Sequence, residues 1–135
     1  MLPRLMHTMI RVVDLPRSLD FYVGRLGMRL LRRTDYPDGR FTNTFVGYED
    51  EDAGAVLELT TNWDRTEPYE FGGAWGHLAI GVEDLHAFVA SLRERGVKVL
   101  REPGPMAGGG REIAFIADPD GYRIEVLQCA ARGTR

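Results

Sequence analysis

Hydrophobic and polar residues alternate over two similar stretches of the chain, the first near 6–13 and the second near 76–83. Apolar residues at helical spacing follow each stretch, and Gly27 and Gly96 are placed to end the two helices. Three short strands complete each copy, so the pattern predicts the order βαβββ twice. The predicted helices lie near 14–27 and 85–95, and the remaining strands near 28–34, 41–48, 55–60, 97–101, 111–117 and 122–128.

The two copies also correspond residue by residue. Asp14-Leu15 answers Asp84-Leu85, and Phe45-Val46 answers Phe115-Ile116. Two longer runs answer each other as well: MRLLRR (28–33) with VKVLRE (97–102), and VLEL (56–59) with RIEV (123–126). Internal self-similarity of this kind fixes an architecture before any single residue is interpreted. The prediction is an α+β fold of tandem βαβββ modules that form curved mixed sheets.

The domain organisation follows from the length of the repeat. A chain of 135 residues is long enough for one ordinary domain. We therefore predict a single domain, 1–135, made of module 1–62 and module 75–130 joined by linker 63–74.

Composition narrows the class of protein and its location. A net charge of −3 with interspersed signs gives no electrostatic case for nucleic acid or an anionic membrane surface. No segment reaches the roughly 18 apolar residues of a membrane span, and the start MLPRLMHTM is too short and polar for a signal peptide. The single Cys129 excludes an intrachain disulfide. We expect a cytoplasmic protein with neither nucleic-acid nor membrane partners.

Strand alternation decides where four ionisable side chains point. His7 falls opposite the apolar face of the first strand, and His77 does the same in the second copy. Glu58 and Glu125, on the closing strands, also face away from their apolar neighbours. All four are therefore expected on the sheet face that the helix does not cover. A lone strand histidine is more often structural than a ligand, but two histidines and two glutamates at repeat-equivalent positions favour a divalent transition metal.

The motifs around these residues resemble glyoxalase I (lactoylglutathione lyase) of the compact bacterial type, within the vicinal oxygen chelate superfamily. The resemblance covers nearly the whole chain. The part of the resemblance most specific to this family is the combination of Arg11 after His7 with the run Glu58 to Trp63. Its four segments are HTMIRVVDLPRSLDFYVGRLGMRLLRR, FVGYEDEDAGAVLELTTNW, GHLAIGVEDL and FIADPDGYRIEVLQ.

The resemblance implies a homodimer with metal sites at the subunit interface. In it, His7 and Glu58 of one subunit meet His77 and Glu125 of the other. Each site would hold one divalent ion, Ni²⁺ or Co²⁺, with Zn²⁺ as the alternative. Glutathione is the implied cosubstrate. The implied reaction turns the hemithioacetal of methylglyoxal and glutathione into S-lactoylglutathione, and thereby detoxifies methylglyoxal.

The resemblance also implies roles for individual residues. Glu125 is the candidate base that moves the proton, and Glu58 is its counterpart for the other epimer. Arg11 and Asn62 are expected to bind the γ-glutamyl end of glutathione. Larger eukaryotic members carry an arginine before the second histidine that this chain lacks, so Arg111 or Arg101, beside loop 103–110, is the alternative contact for the glycyl carboxylate.

Three other functions remain as alternatives. An epimerase or an extradiol dioxygenase on this fold would keep a metal, although dioxygenases use two histidines and one carboxylate. A metal-free drug-binding resistance module would need no ligands at matched positions.

Overall fold

The computed structural model describes residues 1–130 and divides the chain into two compact units, Met1–Glu70 and a second unit from Phe71 onward. Residues 131–135, which the predicted single domain includes, lie outside the described residues. That single domain, with its module and linker boundaries, stays a prediction. No helix in the described part of the chain is long and apolar enough to cross a membrane.

Each unit follows the predicted order of elements. The first contains β1 (His7–Arg11), α1 (Leu15–Leu19), a π-helical turn (Asp20–Arg25), β2 (Arg29–Tyr36), β3 (Phe41–Gly47) and β4 (Val56–Asn62). The second contains β5 (Leu78–Val82), α2 (Leu85–Glu94), β6 (Lys98–Pro105), β7 (Glu112–Ala117) and β8 (Arg123–Gln128). The predicted tandem βαβββ modules of an α+β fold are confirmed.

Both sheets have the same topology. Their strand orders are β1-β4-β3-β2 and β5-β8-β7-β6, so the first strand of each unit lies parallel to its last strand. The other neighbours pair antiparallel, which makes both sheets mixed. This pairing brings together the two ends of each repeat, where the histidine and the glutamate lie.

Local sequence explains how the helices begin. Asp14 and Asp84 are matched N-caps, and each carboxylate accepts a backbone N–H three residues later, at 3.1 Å. Gly27 and Gly96 follow the helical stretches with φ of 76° and 82°, a conformation that glycine adopts without steric cost.

Two elements differ from their predicted form. The first helix is not one α-helix to Gly27, because it widens into a π-helical turn in which the adjacent Phe21 and Tyr22 are both buried. Strand β6 extends to Pro105, beyond the predicted end at 101, and thus shortens the expected loop 103–110. Arg101 explains this extension, since its guanidinium donates to backbone carbonyls of Gly104, Pro105 and Ile113.

Candidate metal centre

The first unit brings His7 and Glu58 together on neighbouring parallel strands. Met9 of β1 is in register with Glu58 of β4, and His7 lies two positions earlier on the same face. The His7 Nε2 and Glu58 Oε1 atoms are 3.3 Å apart. The imidazole is 39% exposed and the carboxylate side chain only 11%, so the histidine is the more accessible member of the pair.

The second unit repeats this arrangement with His77 and Glu125. Ala79 of β5 is in register with Glu125 of β8, and His77 again lies two positions earlier, directly before the strand. The His77 Nε2 and Glu125 Oε1 atoms are 3.6 Å apart, with side-chain exposures of 42% and 15%. The two units therefore carry equivalent histidine–glutamate pairs.

A phenylalanine ring contacts each imidazole. The analysis of the sequence did not predict these contacts. Phe45 is in register with Glu58, and Phe115 with Glu125. In both units the imidazole and phenyl ring centroids are 5.3 Å apart, with interplanar angles of 83° and 78°. Edge-to-face contacts of this kind orient the imidazole. The signal was present in the sequence, because Phe45 and Phe115 are matched positions of the repeat.

An arginine covers each of these phenyl rings. The guanidinium carbon of Arg32 lies 3.7 Å from the Phe45 centroid, and that of Arg123 lies 4.7 Å from the Phe115 centroid. Glu51 holds Arg32 in place through two hydrogen bonds of 2.8 and 3.1 Å. These hydrogen bonds and the charge of Arg32 lower the pKa of Glu51.

The predicted substrate contacts lie on the same face of the first sheet as Glu58. Arg11 is exposed at the end of β1, four residues after His7 and on the same face of the strand. Asn62 ends β4, and its side-chain oxygen accepts a hydrogen bond of 3.3 Å from the Tyr69 hydroxyl. Of the two alternatives for the glycyl carboxylate, Arg101 donates to backbone carbonyls of its own sheet, whereas Arg111 is exposed just before β7.

A cavity of about 550 Å³ in the first unit lies away from these residues. Its lining includes Thr42 and Thr61, which are register partners on the sheet face opposite Glu58. The cavity therefore does not contain the histidine–glutamate pair.

The donor atoms fit a divalent transition ion. Zn–N and Zn–O bonds near 2.1 Å put two ligands of one ion about 3.0 Å apart at an octahedral angle and about 3.4 Å apart at a tetrahedral one. The separations of 3.3 and 3.6 Å are close to this range. Among residues 1–130, no third histidine, cysteine or carboxylate joins either pair. Each unit thus offers two candidate ligands.

Several known proteins are similar to this chain in sequence and fold. The family model described as the Glyoxalase/Bleomycin resistance protein/Dioxygenase superfamily matches residues 4–126. A lactoylglutathione lyase of Neisseria meningitidis serogroup A is 56% identical over 125 residues, which cover 93% of this chain and 90% of the relative.

Two solved structures extend the likeness. Trypanothione-dependent glyoxalase I of Leishmania major has a TM-score of 0.84 and 47% identity, over 93% of this chain and 86% of that chain. Glyoxalase I of Zea mays has a TM-score of 0.89 and 41% identity, over 94% of this chain but only 45% of the maize chain. The chain therefore belongs to the Glyoxalase/Bleomycin resistance protein/Dioxygenase superfamily and, within it, to the glyoxalase I (lactoylglutathione lyase) family.

Proposed function

We propose that this protein is a metal-dependent lactoylglutathione lyase that converts the methylglyoxal–glutathione hemithioacetal into S-lactoylglutathione in the cytoplasm. The observation that carries the proposal is the duplicated histidine–glutamate pair, which occurs at matched register in both sheets. Identity of 56% to a lactoylglutathione lyase over nearly the whole chain supports the same activity.

His7 and Glu58 would hold the metal together with His77 and Glu125. Since each unit offers only two ligands, a four-ligand centre requires one pair from each kind of unit. We propose that the two pairs come from different subunits of a homodimer, so that a dimer contains two centres. When bound, a divalent ion supplies Lewis acidity that lowers the energy of negative charge developing on the two substrate oxygens. Nickel or cobalt is the proposed ion and zinc the alternative.

The protein's own groups would move the proton. The hydrogen to be transferred lies on a carbon next to a carbonyl, and Glu125 is the proposed base that removes it and returns it to the neighbouring carbon. Glu58 is the counterpart for the other epimer. The edge contacts of Phe45 and Phe115 would restrict the orientations of both imidazoles.

Binding of the thiol would rest on polar groups at the strand ends. Arg11 and Asn62 are the proposed contacts of the γ-glutamyl end, one at the end of β1 and the other at the end of β4. The Leishmania relative is described as trypanothione-dependent. Glutathione is the cosubstrate proposed for this chain, and trypanothione is the comparison that the assay should include.

The test is an activity titration on the apoprotein. Chelated protein is loaded with nickel, cobalt or zinc in turn, mixed with methylglyoxal and glutathione, and followed by thioester absorbance. We expect absorbance to rise with nickel or cobalt and to stay flat in the chelated control. Absence of thioester with all three ions, in protein that has bound each of them, would overturn the proposed function.

A further inference from the structure

The two units cover their phenyl rings with arginines from different positions of the repeat. Arg32 and Arg101 are repeat equivalents, and each is in register with the phenylalanine of its own sheet just after a register shift. Arg32 lies over Phe45, but Arg101 turns to the backbone carbonyls near the end of β6. The ring of Phe115 is covered instead by Arg123, whose equivalent in the first unit is the buried Val56.

Arg32 and Arg123, the two arginines that cover a phenyl ring, also differ in whether a carboxylate neutralises their charge. Glu51 neutralises Arg32 through its pair of hydrogen bonds, and Arg4 donates to the Glu51 backbone carbonyl at 2.8 Å, which ties down the same hairpin. Within residues 1–130, no carboxylate lies within ion-pair distance of Arg123. Of the two arginines that cover a phenyl ring, Arg32 is thus neutralised by a carboxylate and Arg123 is not.

Arg123 is also well placed for an anionic ligand. It is exposed and lies two positions before Glu125 on the same strand face, so its guanidinium shares the open face of the sheet with the His77–Glu125 pair. Its guanidinium carbon lies 4.7 Å from the Phe115 ring centroid, a contact that limits where the guanidinium can lie, and the residue remains exposed. A planar guanidinium held in this way can bind a carboxylate through two parallel hydrogen bonds.

We infer that Arg123 binds the glycyl carboxylate of the thiol substrate, and that Glu51 prevents Arg32 from offering an equivalent anion site in the other half. The uneven charge, together with Arg11 and Asn62 of the first unit, then makes the substrate bind in one orientation. This inference rests on the proposed function. It assigns to Arg123 the role for which Arg101 and Arg111 are the sequence-based candidates.

The experiment measures binding and turnover with two matched ligands. S-hexylglutathione, which cannot react, is compared with its glycyl amide by calorimetry on the metal-loaded protein. Loss of a charge-assisted contact is worth roughly a ten- to hundredfold change in affinity. We expect the wild type to prefer the free acid by about that factor and Arg123→Gln to bind both ligands equally. Arg123→Lys should recover part of the preference. For the hemithioacetal, Arg123→Gln should raise KM with little change in kcat.

Two further variants complete the design. Arg93→Gln removes the same charge from α2 of the same unit, where Arg93 pairs with Glu102, and should leave the preference intact. Glu51→Gln in the Arg123→Gln background releases the charge of Arg32 and should restore part of the preference for the acid. Failure of this restoration would overturn the role given to Glu51.

The outcomes separate the inference from the proposed function. A wild type that neither isomerises the hemithioacetal nor binds S-hexylglutathione would overturn the function itself. An active wild type whose preference for the free acid survives in Arg123→Gln would overturn the role of Arg123 alone.

Discussion

Two complementary double variants test whether the metal centre is shared between subunits. One variant replaces the ligands of the first unit, His7→Ala with Glu58→Ala, and the other replaces those of the second, His77→Ala with Glu125→Ala. Each chain then keeps one histidine–glutamate pair intact. Both imidazoles are about two-fifths exposed, whereas the side chains of Glu58 and Glu125 are only 11% and 15% exposed.

The expected magnitude follows from counting the intact pairs. In the proposed symmetric dimer, each centre combines the first unit of one chain with the second unit of the other. Either variant alone then has only two ligands per centre and should be inactive. Random reassociation of an equal mixture makes about half of the dimers heterodimers, and each has one centre with four ligands and one with none. The mixture should therefore regain about a quarter of the wild-type activity and metal content per chain.

The assay mixes the two variants, dissociates and reassociates them in the presence of nickel, and follows thioester formation and bound metal. Activity should peak at equal proportions and vanish at either extreme. Reassociation of each variant with itself is the control and should give nothing. A mixture with proven heterodimers that is silent at every ratio would refute the sharing of centres between subunits.

Three other outcomes are expected. Glu125→Gln should retain most of the bound metal, measured by elemental analysis, yet lose roughly 10²- to 10⁴-fold in kcat, because the amide cannot accept the proton; near wild-type turnover would exclude Glu125 as the base. Partial burial raises the pKa of Tyr48 to about 12, so its contribution to stability is complete below pH 10 and lost as the pH rises toward 12; a phenolate absorbance titration with an ordinary midpoint would contradict this. Leu59→Ala should lower the free energy of unfolding by about 2–5 kcal/mol in urea, since Leu59 is fully buried beside Glu58, and a loss below about 1 kcal/mol would indicate that the core collapses around it.

The candidate site could be predicted because it depends on periodicity. Alternation along strands has a period of two, so the faces of His7 and Glu58 follow from the apolar positions beside them. The repeat then supplied the equivalent pair, His77 and Glu125. The structure brings each pair to within 3.6 Å, although the assembly of the two pairs into one centre remains a prediction.

Other features depend on side-chain packing that periodicity does not encode. The π-helical turn contains the buried neighbours Phe21 and Tyr22, and the spacing of apolar residues does not distinguish such a turn from an α-helical one. The extension of β6 crosses Pro103, Gly104 and Pro105, residues that normally indicate a loop.

The arginines show most clearly where the repeat misleads. Arg32 and Arg101 are equivalent in sequence and in register, yet only Arg32 lies over its phenylalanine. In the second unit this place is taken by Arg123, whose sequence equivalent is a valine. A long flexible side chain can reach several partners. Its contacts therefore depend on the surrounding carboxylates and carbonyls rather than on its position in the strand.

The pairing of the first strand with the last in each sheet has a consequence for how the protein matures. His7 and Glu58 become neighbours only when β1 pairs with β4, and His77 and Glu125 become neighbours only when β5 pairs with β8. A chain still emerging from the ribosome has no preformed chelate to capture stray ions. Binding of the proposed metal would therefore be coupled to completion of the fold, and an ion that binds only the folded state would add its binding energy to the stability of that state.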